Sequence, residues 1–220
     1  SRSKLQQLQA ELGHGADKIP LIIADADDEN ALRAMCASTN VIVSTVGPYA
    51  LYGSPLVKVC AELGTDYCDL TGEVQWISRM ITEHEATAKQ SGARIVHCCG
   101  FDSVPSELGV HFLQQRAQEK FGQPCSSVKL RVKSMRGAAS GGTVASILNV
   151  VQESIHDPAV RKLMSNPFAI CPTGSGVRQP NVIFAEFDED ARSWVAPFVM
   201  SGINTRVVHR SNALANHAYG

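Results

Sequence analysis

The sequence predicts an α/β protein: a doubly wound parallel sheet lacking its first strands, followed by a second α/β (α+β) domain that is itself expected to be cut short. Three observations predict it. Short, nearly unbroken apolar runs alternate with helix-like segments at intervals of roughly 25 to 30 residues, the pattern of right-handed crossovers onto a parallel sheet. The loops after those runs are small, acidic and hydroxylic. Beyond residue 122 the strand-like pattern changes from unbroken to alternating, which places a boundary there and divides the chain into 1–122 and 123–220.

Taken in order, Leu5, Leu8 and Leu12 recur at helical spacing and stop at Gly13, which predicts an exposed amphipathic helix from Ser3 to Leu12. The run from Ile19 to Asp25 reads as a buried strand, after which Asp28 can cap a helix through Ala37. Asn40 to Val46 is the next strand, and Ser54-Pro55 opens a helix that runs to Leu63 and closes at Gly64. Asp66 to Leu70 and Ala93 to Cys99 are the third and fourth strands. Helices are expected from Val74 to Gln90, ending at Gly92, and from Glu107 to Lys120. Val128 to Lys133 alternates apolar with charged residues, as a half-exposed strand does. Gly141-Gly142-Thr143 starts a helix with Val144, Ile147, Leu148 and Val151 on one side, and 166–180 reads as a long loop. The stretch from Trp194 to Arg210 mixes strand-like and turn-like signals.

Composition narrows the function. The chain has 220 residues, 44% of them hydrophobic, enough to bury a core. A net charge of −1 without like-charge blocks argues against nucleic acid and leaves small molecules as partners. No apolar run reaches the roughly 18 to 20 residues a membrane span needs, and Ser1 to Leu8 is not a signal peptide, so a cytoplasmic location is expected. The seven cysteines include no Cys-x-x-Cys and no cluster at zinc spacing, so no metal site is expected, and they read as reduced thiols in a core.

Ligands of open parallel sheets lie at the carboxyl ends of the strands, so the four strand-end loops carry the candidates. Asp25 and Ala26 suit an adenine, although an acid there also caps helices. Val46, Gly47, Pro48 and Tyr49 are expected to form a rigid turn beside a dinucleotide's ribose and pyrophosphate, although Gly-Pro is also a commonplace turn. Asp69, Glu73 and Asp102 are acids able to orient a substrate or move a proton, and helix capping by Asp69, Thr71 or Ser103 is the alternative. His97 reads as a hydrogen-bonded core histidine. The backbone N–H groups at Gly141, Gly142 and Thr143 suit a carboxylate or carbonyl oxygen of a substrate, to which Thr71 and Ser103 would also contribute. Gly-x-Gly-x-x-Gly occurs nowhere in the sequence, so the phosphate-cradling loop is expected to precede Ser1, and binding by residues 1–220 alone is expected to be weak or absent.

In Ser3-Lys-Leu, Ala24-Asp25, Val43-Ser-Thr-Val-Gly-Pro-Tyr-Ala-Leu-Tyr-Gly53, Cys60-Ala-Glu-Leu-Gly-Thr-Asp-Tyr-Cys-Asp-Leu-Thr-Gly-Glu73, Cys99-Gly-Phe-Asp-Ser-Val-Pro-Ser106, Ser140-Gly-Gly-Thr143 and the stretch 204–212, the sequence resembles the saccharopine dehydrogenase-like oxidoreductases, which include the trans-acting enoyl reductases. The resemblance implies a Rossmann domain binding NADP, with NAD as the other possibility, followed by a substrate or dimerisation domain. It also implies a glycine loop ahead of this sequence, with Arg2 near the 2′-phosphate. The expected activity is hydride transfer to a C=C or C=N bond of a small or lipid-linked substrate by an NAD(P)-dependent oxidoreductase, with these residues alone inactive for want of the glycine loop. A homodimer is a family expectation only. The alternative from another class is a non-catalytic binding or scaffold protein that keeps the dinucleotide fold.

Overall fold

A computed structural model describes residues 1–137, 140–173, 176, 179–180 and 182–220. Three strands, β1 (Val41–Ser44), β2 (Asp66–Asp69) and β3 (Ile95–Val96), form a parallel sheet in the order β1-β2-β3. The register sets Ile42 beside Tyr67 and Tyr67 beside Ile95, and on the opposite face Val43 beside Cys68 and Cys68 beside Val96.

The crossovers follow the sequence closely. Helix α1 (Arg2–Leu12) ends before Gly13 and buries no side chain. In α2 (Glu29–Ala37) the cap is Asp28, whose carboxylate accepts from Ala31 N–H at 3.0 Å. After β1 come the single turn α3 (Tyr49–Tyr52) and α4 (Ser54–Leu63), the latter with proline in its first turn. α5 (Val74–Ser91) links β2 to β3, and α6 (Val104–Phe121) follows β3. Gly64 and Gly92 end α4 and α5 at φ +76° and +85°, where a Cβ would be strained. The remainder comprises α7 (Gly141–His156), α8 (Pro158–Ser165), the antiparallel hairpin β4 (Glu186–Asp188) and β5 (Ser193–Val195), and α9 (Ser201–Leu214).

One core joins these parts. Tyr67, Val57, Val59, Trp76 and Ile77 are almost wholly buried, and Ile170 and Ile203 from the later half pack into the same cluster. Trp76 Nε1–H donates to Ser54 Oγ at 2.9 Å, so its one polar atom is satisfied in the core. A Cβ on Gly53 would lie 2.7 Å from Trp76 Cζ2 and 2.9 Å from the Tyr49 carbonyl oxygen, so only glycine lets α3 and α4 close over the indole.

Several expectations fail. The run from Ile19 to Asp25 is no strand: residues 20–24 show no ladder hydrogen bond among the described residues, and Ile19, Ile22 and Ile23 are exposed. The fourth strand shrinks to Ile95–Val96, because from His97 the chain turns to bond with Asp69. Residues 128–133 form no strand either. Their alternating charges pair with acids instead, Arg131 with Asp188 and Lys129 with Asp190, so side chains rather than a backbone ladder tie this segment to the hairpin. The apolar side of α7 is exposed rather than buried. Of the loop 166–180, residues 174, 175, 177 and 178 lie outside the described residues. The sheet face bearing Val41, Val43 and Val96 is likewise exposed, whereas a parallel sheet is ordinarily covered on both sides.

Candidate functional site

Parallel pairing brings the carboxyl ends of β1, β2 and β3 side by side, and their turns interlock through two buried acids. Glu73, at the N-cap of α5, turns its carboxylate away from its own helix. It accepts from Tyr49 N–H at 2.8 Å, from Ala50 N–H at 2.9 Å and from the Ser146 hydroxyl of α7 at 2.8 Å. The first turn of α3 is thus capped by an acid remote in sequence, where anions are favoured. Tyr49 completes the clasp, since its hydroxyl donates to the Ser44 carbonyl at 3.0 Å and accepts from Leu70 N–H at 3.2 Å, joining the ends of β1 and β2. The peptide before Pro48 is cis.

Asp69 is fully buried and does for β2 and β3 what Glu73 does for β1 and α7. One carboxylate oxygen accepts from Thr71 N–H and Cys98 N–H, both at 3.1 Å. The other lies 2.6 Å from His97 Nδ1, and the Asp69 carbonyl accepts from Cys99 N–H at 2.7 Å. Thr71 Oγ1 in turn accepts from Glu73 N–H at 3.1 Å. The turn at Cys98 takes φ +62°, a left-handed conformation that costs a residue with a Cβ of the order of 1 kcal/mol and persists where its surroundings enforce it. The His97 ring packs edge-on to Trp76 at 5.1 Å and to Tyr67 at 6.0 Å.

Electrostatics follow from this burial. The Tyr49 phenol is pushed above its ordinary range by desolvation first and then by the negative charges of Asp69 and Glu73, against the Leu70 amide, which lowers it. Desolvation, then Asp69, raises the Cys98 thiol. Neither group is set up to ionise near neutrality.

The sequence candidates therefore divide. Tyr49, Asp69, Thr71 and Glu73 come together, with Gly47 and Pro48 on the same turn and Val46 exposed beside it. Asp102 is exposed, and among the described residues its carbonyl accepts from Asn204 Nδ2 of α9 at 2.8 Å. Ser103 is buried at the N-cap of α6 but makes no side-chain cap bond. Asp25 is exposed, its carboxylate accepting from Asp27 N–H at 3.4 Å; Ala26 beside it is half-buried. Arg2 lies exposed at the start of α1. Gly141, Gly142 and Thr143 open α7 and are exposed, and the Thr143 N–H is already taken by the Ser140 hydroxyl at 3.2 Å.

Sequence reasoning missed three participants. Ser146 carries no local signal, because its partner is 73 residues away. His97 is hydrogen-bonded as the sequence suggests, but its partner Asp69 was missed, although the pairing of Cys68 with Val96, carried one residue further, would have brought the two together. A cavity of about 410 Å³ between α5, β3, α6 and α9 was also missed; His97, Cys98 and Ser103 reach its wall. Among the described residues no cluster of three or more His, Cys, Asp or Glu could hold a metal ion, and no helix is long and apolar enough to cross a membrane.

Comparison with known proteins adds to this geometry. Residues 1–96 match the family described as "Saccharopine dehydrogenase NADP binding domain". Over its whole length the chain is 41% identical to a protein of Mycobacterium tuberculosis named a putative trans-acting enoyl reductase, covering 54% of that relative. It is 39% identical to a trans-acting enoyl reductase of Mycobacterium leprae and 38% identical to one of Mycobacterium ulcerans, covering 55% of each. The chain thus spans about half the length of the curated relatives it matches. No solved structure matches it. Residues 1–96 thus match the saccharopine dehydrogenase NADP-binding domain family, and along its full length the chain is similar to these reductases.

Proposed function

We propose that the chain supplies the strand-end half of a nicotinamide-dinucleotide site in an oxidoreductase, with NADP as the cofactor and the C=C bond of an acyl compound as the reducible group. The observation that carries this reading is the interlocked set of turns at one end of a parallel sheet, where dinucleotides bind in open α/β folds. The names of the relatives favour a C=C bond over the C=N bond that the sequence leaves equally open.

The residues present fit part of the cofactor. A Cβ on Gly72 would meet nothing within 4 Å, so the backbone there is open to a ligand, and Val46 and Leu70 expose apolar surface on either side of the clasp. The exposed Asp25 carboxylate suits an exocyclic amine, and Arg2 a 2′-phosphate. Hydride transfer is the chemistry the group would supply when bound. The protein's own contribution is to hold the turn 46–49 at a fixed distance from Thr71 through Glu73 and Tyr49. Asp69 and Glu73 act in this reading as positioning residues, and Thr71, Ser103, Asp102 and the start of α7 remain candidates for substrate contact. Residues 1–122 form the nucleotide-binding part and 123–220 the substrate-binding part.

The test is titration of the ¹⁵N-labelled chain with NADPH. Amide signals of residues 46–49 and 70–73 are expected to move, with affinity in the weak, roughly millimolar, range because the sequence holds no glycine-rich phosphate loop. Shifts confined to other parts of the chain would sink the assignment.

A further inference from the structure

Beside the clasp lies the cavity of about 410 Å³ between α5, β3, α6 and α9, a size within the roughly 300 to 1,000 Å³ of small-molecule sites. Met80 and Ala88 of α5, Val96 of β3, Leu108 of α6, and Val207 and Leu214 of α9 give it apolar walls. The charged side chains of the lining, Glu85 and Glu107 against Lys89 and Arg210, offset one another, so the cavity offers no net charge to balance an ionised head drawn out of water. Such walls select a neutral, largely apolar body.

The polar feature that gives the cavity a direction is His97, which the proposed nucleotide site does not use. Asp69, as a carboxylate, can only accept, so the hydrogen of the 2.6 Å bond between them sits on His97 Nδ1. A neutral imidazole that donates through Nδ1 accepts through Nε2. That nitrogen has no hydrogen-bond partner among the described residues, yet it is not sealed from solvent as His209 Nε2 is. Arg210, a donor in the same lining, gives a hydrogen to the Ile170 carbonyl at 2.6 Å instead. The ring is also held in place, edge-on to Trp76 and Tyr67, with the left-handed turn at Cys98 fixing the chain that follows. A fixed, unfilled acceptor in an apolar wall is matched by a ligand that brings a donor; a carbonyl, carboxylate or ether oxygen set against it leaves two acceptors facing each other. An amide would bring a donor, but also a carbonyl in need of its own partner. The neutral donor that fits an otherwise apolar body is a hydroxyl group.

We infer that this cavity is a binding site for a neutral alcohol with an extended apolar body, whose hydroxyl group donates its hydrogen to His97 Nε2. The inference goes beyond the reductase reading and does not rest on it, since neither a dinucleotide nor a reducible bond takes part in the contact. Selectivity lies in the direction of one hydrogen bond: the tautomer that Asp69 imposes separates a molecule with an O–H from one of the same shape without it.

The probe is 1-octanol, and its control is the isomer 1-methoxyheptane, which has the same atoms and nearly the same shape but no O–H. Each is titrated into the ¹⁵N-labelled chain at pH 8, where imidazoles are ordinarily neutral, while the histidine ring nitrogens and the amides of α5 and α9 are followed. Octanol is expected to move the His97 Nε2 signal, with the hydrogen staying on Nδ1, together with amides of residues 77–89 and 207–214. The ether is expected to bind about tenfold more weakly and to leave Nε2 unmoved, the difference being one hydrogen bond to a desolvated acceptor. Ala88→Phe and, independently, Val207→Trp fill the cavity and are expected to weaken octanol binding at least tenfold, with amide signals outside α5 and α9 unchanged as the check on folding. Equal affinity for the two isomers, a stationary Nε2 signal at saturating octanol, or unchanged affinity in both filled variants would overturn the inference. NADPH binding at the strand turns is read in a separate titration, so either assignment can fail without the other.

Discussion

Replacing Glu73 is the sharpest test of how the strand ends are held. Its side chain is almost wholly buried and takes three hydrogen bonds, from Tyr49 N–H, Ala50 N–H and the Ser146 hydroxyl. In Glu73→Gln the amide oxygen can replace Oε1 and keep the bonds from Tyr49 and Ser146, but the NH₂ group then faces the Ala50 N–H, donor against donor. One buried donor left unpaired costs about 2 kcal/mol, which for a chain of this size lowers the melting temperature by roughly 4 to 8 °C. Glu73→Ala strands all three donors and is expected to cost about 4 kcal/mol or more. The informative measurement is a double-mutant cycle with Ser146→Ala, read by urea denaturation. Ser146→Ala alone should cost about 1 kcal/mol, and in the Glu73→Ala background close to nothing, because its partner is gone. If the two substitutions add with no coupling, α7 is not tied to the clasp and the argument for a joined site fails.

Other consequences are as direct. Gly53→Ala should destabilise by about 2 kcal/mol or more, since the new Cβ meets the Trp76 ring and a backbone oxygen below 3.0 Å; thermal melting decides it, and a neutral result would mean that α3 and α4 are not packed over the indole. Iodoacetamide at neutral pH should modify exposed Cys99 before buried Cys36, Cys60 and Cys98, because desolvation pushes all four thiols up and access decides between them; peptide mapping showing early modification of Cys60 would contradict the packing of α2 on α4. Asp188 is held below the ordinary carboxylate range, first by the Ala191 amide and then by Arg131. A depressed carboxylate stabilises the fold above its unfolded pKa of about 3.9 and loses that contribution as pH falls through the folded value, so the hairpin should loosen from residues 129–131 only in acid. Amide exchange in β4 and β5 as a function of pH reads this, and Arg131→Ala should move the onset to higher pH.

Much of the fold was legible because its signals are local. Asp28 caps α2 and Gly64 and Gly92 stop α4 and α5 where the sequence places them, since a cap or a left-handed glycine acts within one turn of its own helix. What failed depended on partners. The runs 19–25 and 128–133 have the composition of strands, yet a strand exists only if a neighbour offers a ladder, and here the first has none among the described residues and the second is tied by Arg131 and Lys129 instead. The site was half legible for the same reason. Gly47-Pro48 and Asp69-Leu-Thr71-Gly-Glu73 mark strand ends, but nothing local to Glu73 says that its carboxylate reaches back to Tyr49 and across to Ser146.

That reach changes what the acids can do. Burying a carboxylate is costly unless its lone pairs are filled, and here the turns themselves fill them: two amides and a hydroxyl for Glu73, two amides and an imidazole for Asp69. A carboxylate committed to backbone amides cannot give up those bonds during a reaction without releasing the turn it holds. Tyr49 is bound at both sides of its hydroxyl and pushed away from neutrality, and Asp102 is exposed to water. Of the ionisable groups on these strand ends, half-buried His97 combines a fixed orientation with a ring nitrogen, Nε2, that has no hydrogen-bond partner among the described residues. Sequence pattern ranks Asp69 above His97 as a chemical group, whereas the hydrogen bonds make the acid the support of the imidazole. Asp69→Asn should therefore act at a distance: its amide oxygen can keep the bonds from Thr71 and Cys98 N–H, but its NH₂ group then faces His97 Nδ1, so the ring hydrogen is expected to move to Nε2, which the ¹⁵N signals of the histidine ring read even where the melting temperature shows the fold intact.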